Sequence, residues 1–166
     1  ITKYLETMSK YESQVKQIPS PIEAVYAKLS DLENLRPIVE NAQNNEQLKQ
    51  QIEAAGQDPS YLNMLKNVTL TPDSMSLDTG MMGVVALNII EREDPAINEG
   101  KGTIKFETQQ SPIEANMWIQ LLPGEVGTRM KLTLKADLNP MIQMMIGNKL
   151  ESGIDRFADI LAMIPY

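Results

Sequence analysis

Residues 140–164 read PMIQMMIGNKLESGIDRFADILAMI, and the fold turns on how that stretch is taken. Ile142, Ile146, Leu150, Ile154, Phe157, Leu161 and Ile164 recur at steps of three and four, which lays them along one stripe of a helix. Lys149, Glu151, Asp155, Arg156 and Asp159 fall opposite, and the acidic row among them is expected to be a solvent face. Asn139 is suited to cap the first turn, because its side chain accepts from an otherwise unpaired backbone N–H, and Pro140 suits the first helical position. Immediately upstream, Met130, Leu132, Leu134, Ala136 and Leu138 alternate with Arg129, Lys131, Thr133, Lys135 and Asp137, the period of a strand with one buried face. A half-buried strand therefore feeds a long amphipathic terminal helix.

Working back from that pair, the chain breaks into short elements. Tyr11–Ile18 alternates loosely as a modest strand. Ser20-Pro21-Ile22-Glu23 and Ser30-Asp31-Leu32-Glu33 each carry the residues of a reciprocal cap, which predicts two short helices in tandem, the second burying Leu32, Leu35, Ile38 and Val39. Residues 44–55 are Gln- and Glu-rich and read as an exposed helix ended by Gly56. Val68–Thr71 and Ser74–Asp78 flank a Pro72-Asp73 turn. Gly83–Arg92 and Thr103–Glu107 form a second pair, and Asn116–Leu122 with Gly127–Leu138 a third. Residues 1–7 precede Met8 and are set aside as a processed or non-native end, which leaves residues 8–166 as one expected domain.

Composition limits the chemistry. The chain of 166 residues has neither cysteine nor histidine, so disulfides, thiol nucleophiles, imidazole bases and Cys/His zinc sites are all excluded, and no metal or cofactor is expected. A net charge of −7 without a run of Lys or Arg argues against a nucleic-acid partner. No segment has the length of apolar sequence that spans a membrane, and with no opening signal segment a cytoplasmic location is the expectation.

The succession of strand, two short helices, six antiparallel strands and long terminal helix resembles the START-like superfamily, which also holds the birch pollen allergens and the polyketide cyclase and dehydratase-like (SRPBCC) proteins. The resemblance rests on Ser20-Pro21-Ile22-Glu23-Ala24-Val25-Tyr26, on Leu29-Ser30-Asp31-Leu32-Glu33-Asn34-Leu35, on Trp118 through Gly127-Thr128-Arg129, and on Asp137-Leu138-Asn139-Pro140. It spans Ser9 to Pro165. It implies an α+β helix-grip fold: a seven-stranded curved antiparallel sheet wrapped around the C-terminal helix, with two short helices after the first strand and an elongated apolar cavity between sheet and helix. The superfamily has no universal catalytic motif, so no catalytic residue is carried over. Residues 44–64 are longer than the usual connection there and are placed to cover a cavity mouth.

Eleven methionines against two phenylalanines make a soft apolar inventory. Met130, Leu132 and Leu134 on the strand and Met141, Met144 and Met145 on the helix are candidate walls of a ligand cavity, or else ordinary core fillers, as is Met163. Gly147 and Gly153 in the helix cost stability relative to Ala, and either admit a close neighbour, free volume for a ligand or are simply tolerated. Trp118 lies on a strand with two apolar rows; with Gln120 it is expected to face inward as an aromatic wall and a polar handle, whereas outward it would serve an association surface such as that of a homodimer. Glu91 is expected at a solvated strand end. The leading expectation is a binder of a hydrophobic or amphipathic, lipid- or polyketide-like small molecule. The alternatives are a cyclase or dehydratase-like enzyme, or a protein-interaction module of the chaperone-activating kind.

Overall fold

The architecture comes from a computed structural model, which describes residues 8–37, 39–40, 50, 53–54, 68–78, 84–109, 113–164 and 166. Of the helix expected over residues 44–55 only 50, 53 and 54 are described, and these are helical; the rest of it, the rest of the cover expected over 44–64, and Ile38 lie outside the described residues. Eight strands form one antiparallel sheet: β1 (Met8–Glu12), β2 (Lys16–Ile18), β3 (Thr69–Thr71), β4 (Ser74–Asp78), β5 (Val84–Glu93), β6 (Gly102–Gln109), β7 (Ala115–Gly124) and β8 (Gly127–Asp137). The order across the sheet is β1-β8-β7-β6-β5-β4-β3, and β2 shares the β8 edge with β1, so eight strands occupy seven positions. Helix α1 (Ile22–Leu29) and a 3-10 turn (Leu32–Leu35) follow β2; helix α2 (Pro140–Ala162) closes the fold. This is the helix-grip arrangement of an antiparallel sheet packed against its terminal helix.

The single strand expected over Tyr11–Ile18 is broken in two. Ser13 sits in the gap, its N–H donating to the Leu132 carbonyl and its hydroxyl accepting from the Leu132 N–H, both at 2.9 Å. The side chain thus replaces one rung of the ladder. The interruption shifts the register by one, from Glu12 opposite Thr133 to Lys16 opposite Met130, and so keeps both Tyr11 and Ile18 on the buried face.

Pairing across the sheet separates two faces. Met130, Leu132, Leu134 and Ala136 stand opposite Leu121, Ile119, Met117 and Ala115, and with Ile104, Phe106, Leu87 and Ile89 they make the inner, buried face. Each fully buried side chain of this size contributes roughly 1.5–3 kcal/mol through loss of apolar surface. Helix α1 lays Val25, Tyr26 and Leu29 against β6, β7 and β8 at one end of that face. Its start departs from the expected reciprocal cap: Pro21 is the N-cap residue and no side chain caps the helix. The second start departs from it too: Asp31, not Ser30, is the N-cap residue, accepting from the Glu33 N–H at 3.0 Å. The Ser30 hydroxyl donates back to the Ala27 carbonyl, the Glu33 carboxylate pairs with Arg36, and the element so capped is a 3-10 turn.

Helix α2 begins as its sequence demands, Asn139 accepting from the Ile142 N–H at 2.9 Å. It packs over β8, β1 and β2 rather than over the middle of the sheet, with Ile146, Ile154, Ala158 and Leu161 buried and Ile142, Leu150 and Phe157 half-buried. The acidic row is not a plain solvent face. Lys16 reaches Asp159 at 2.8 Å and Asp155 at 3.1 Å, and Asp155 also accepts from the Gln14 N–H at 2.9 Å. Burial disfavours the charge on Lys16, but the two carboxylates outweigh it and hold its pKa above the ordinary lysine range. For Asp155 burial acts upward, and the Gln14 N–H with Lys16 brings the net shift downward. At the far end, the Tyr166 hydroxyl donates to the Leu161 carbonyl at 2.7 Å, and Lys28 of α1 lies 5.9 Å from the centre of its ring.

The β7–β8 turn needs glycine at one position. Gly127 has φ of +120°, and a Cβ there would lie 2.2 Å from the Ile18 carbonyl oxygen, so no other residue could sit beneath β2. Thr128, next in line, is fully buried and donates to the Ser20 carbonyl at 2.7 Å.

Candidate functional site

The inner face contains one polar atom that the apolar wall does not account for. Tyr11, on β1, is 9% exposed, and its hydroxyl is a buried side-chain polar atom with no hydrogen-bond partner among the described residues. It lies beneath α2, where a Cβ added to Gly147 would be 3.3 Å from the phenolic oxygen. Gly147 is therefore the close-approach position that lets the ring fit under the helix. Gly153 has nothing within 4 Å of its added Cβ and serves no such purpose. An unpaired buried hydroxyl costs about 1–3 kcal/mol, and so it stands out in a face otherwise made of Leu134, Leu132 and the half-buried Ile142, Leu150 and Phe157.

The residues expected to line a site divide among three places. Met130, Leu132 and Leu134 come together on the inner face, the first two fully buried and Leu134 half-buried. Met141, Met144 and Met145 are turned away from the sheet on α2, 72, 88 and 66% exposed, and Met163 is exposed as well. These four methionines neither fill the core nor wall its interior; they fall outside the stripe that docks. Trp118 and Gln120 lie on the outer face, against the expectation of an inward pair. Register decides this: Trp118 is opposite Thr133 and Gln120 opposite Lys131, while Met117 and Ile119 meet Leu134 and Leu132.

The outer face has its own organisation. Lys105 and Lys135 bring their ammonium groups 5.3 and 5.6 Å from the centre of the Trp118 ring, a pair of cation–π contacts. Gln120 accepts from the Thr133 hydroxyl at 3.1 Å. Beside them an open concavity of about 350 Å3 is lined by Val15, Lys101, Thr103, Gln120, Leu122, Arg129 and Lys131, with backbone of the neighbouring strands as its floor. Glu91 is exposed, as expected of a strand end. Among the described residues no group of acidic side chains could hold a metal ion, and no helix is long and apolar enough to cross a membrane.

Tyr11 and the split of β1 from β2 escaped the sequence reading, because Tyr11–Ile18 alternates too weakly to assign faces. The signal that could have found Tyr11 is indirect: a glycine inside the terminal helix, Gly147, that needs a large neighbour to explain it.

Comparison with known proteins bears on the fold. No protein-family model matches the sequence, and no curated protein matches it. The crystal structure of the Mesorhizobium loti protein MLL2253 is similar over 93% of this chain and 94% of that one, with a TM-score of 0.55 at 13% identity. The solution structure of a Thermobifida fusca protein is similar over 92% of this chain and 90% of that one, with a TM-score of 0.54 at 10% identity. At such identities the likeness is one of fold alone.

Proposed function

We propose that the protein binds a hydrophobic or amphipathic small molecule between the inner face of its sheet and α2, with the Tyr11 hydroxyl as the polar handle. The observation that carries this reading is that hydroxyl: buried, unpaired and set in an apolar wall, the combination in which a ligand's polar group repays its own desolvation. Helix α2 rests on the β1–β2–β8 side, so Ile142, Leu150 and Phe157, which it leaves half-buried, are available to an apolar ligand body. The resemblance to START-like domains, whose ligands occupy this position, points the same way. Along β1 and β5–β8 the carboxylates, Glu12, Glu91, Glu93, Glu107 and Asp137, are all on the outer register. That distribution favours carriage over acid–base chemistry.

The test is native mass spectrometry after incubation with a lipid extract, on the wild type and on Tyr11→Phe. A retained adduct in the wild type, reduced about tenfold in occupancy-derived affinity by loss of one hydrogen bond, is the expected result. The ligand-free Tyr11→Phe protein should be as stable as the wild type or more stable by about 1 kcal/mol, since the unpaired hydroxyl is gone. An unliganded wild type, or an adduct indifferent to Tyr11→Phe, would count decisively against the reading.

A further inference from the structure

We infer that the outer face of the sheet carries a second binding site, for a small organic anion, in the concavity between β6, β7 and β8. The sequence holds no run of basic residues, yet the antiparallel register collects them. Lys101 and Lys105 from the β6 side, Arg129, Lys131 and Lys135 from β8 and Lys10 from β1 all lie on this one face of a chain with 22 acidic and 15 basic residues. Elsewhere among the described residues Lys16 is paired with Asp155 and Asp159, Arg36 with Glu33 and Arg92 with Asp73. Among the described residues Lys101, Lys105, Arg129 and Lys135 have no carboxylate within ion-pair distance, and Lys131 shares Glu12 with Lys10. Glu12, Glu91, Glu93, Glu107 and Asp137 share the outer register, but no carboxylate is among the residues that line the concavity itself, where Lys101, Arg129 and Lys131 converge. Such a local excess of cations raises the concentration of anions there.

The polar lining of the concavity consists of donors. Gln120 accepts from Thr133 through its amide oxygen, which leaves its NH2 group to donate outward. The Thr103 hydroxyl has no protein partner among the described residues, and the carboxylate opposite it in β5, Glu93, accepts from Asn98 at 3.1 Å. Arg129 spends one guanidinium nitrogen on a long 3.4 Å contact with the Pro123 carbonyl and keeps the rest of its fork free. An acceptor-only group, carboxylate or phosphate, is what such a set recognises, and Arg supplies the paired donors that either geometry matches. Val15 and Leu122, both exposed, give the remaining wall an apolar character. A volume of about 350 Å3 falls at the small end of ligand sites, so the occupant is a compact molecule with an aromatic or short aliphatic body and one anionic end.

The experiment is a titration of the labelled full chain with phenyl phosphate, followed by amide chemical shifts, with benzyl alcohol as the uncharged comparator. Saturable shifts confined to residues 101–103, 120–122 and 129–131, absent with benzyl alcohol, are expected. Arg129→Gln and Lys101→Gln should each weaken binding roughly tenfold, the loss of one charge-assisted hydrogen bond, while Lys149→Gln on α2 removes the same charge without effect. All three are surface substitutions, and an unchanged spectrum outside the site verifies the fold. Equal response to benzyl alcohol, shifts on the inner face, indifference to both substitutions, or no saturable shift in the millimolar range would each overturn the proposal. Apart from shifts on the inner face, which would report the Tyr11 site instead, these outcomes leave the reading of that opposite face untouched.

Discussion

Gly147 and Gly153 occupy one helix, six residues apart, and should answer alanine differently. At Gly153 the new methyl meets nothing within 4 Å, so Gly153→Ala should raise stability by about 0.5–1 kcal/mol through helix propensity alone. At Gly147 the methyl arrives 3.3 Å from the Tyr11 hydroxyl, which opposes the same gain. Urea denaturation should show Gly147→Ala gaining less than Gly153→Ala, and the difference should close when Gly147→Ala is combined with Tyr11→Phe. Equal gains in the wild-type background would mean that Tyr11 does not press on the helix. At this scale the sequence was a partial guide. It marked both glycines as needing an explanation, but the explanation lies in a residue more than a hundred positions away, which no local pattern reports. Trp118 was ambiguous for a different reason: both rows of its strand are apolar, so only the partner strand decides which one is buried.

Among the elements, α2 and β8 were legible because each pairs a strict hydrophobic period with an obvious start. The tie between α2 and the sheet edge was not, because Lys16 stands in a weakly patterned strand and its two aspartates read as a solvated row. That tie has a pH window. Asp155 is held below the ordinary carboxylate value of 3.8, so its contribution is complete above that value and fades as pH falls through its depressed pKa. Lys16 is held above the ordinary 10.5, so its contribution is complete below that value and fades as pH rises through its raised pKa. Asp155→Asn keeps an acceptor for the Gln14 N–H and removes the charge. It should cost about 1 kcal/mol at neutral pH, with the gap from wild type constant between those limits and shrinking in acid. A gap unchanged well below pH 3.8 would show that the charge on Asp155 does not hold the helix.

Over the whole molecule, one sheet presents two surfaces of opposite character. The inner is largely apolar, with one unpaired buried hydroxyl among the described residues; the outer is charged, with a donor-lined concavity beside an aromatic ring. The fold could be anticipated from the order and spacing of the elements. The outer face could not, because its basic residues are scattered through the sequence and meet only through strand pairing. The position of Trp118 has a practical corollary. As the chain's sole tryptophan, with two ammonium groups close to its ring on the outer face, it is an optical reporter for that face alone. Under selective excitation of the indole, its emission should change with phenyl phosphate and with the removal of Lys105 or Lys135, yet stay level while a lipid enters beneath α2. A single spectrum would then tell which face of the sheet has been filled.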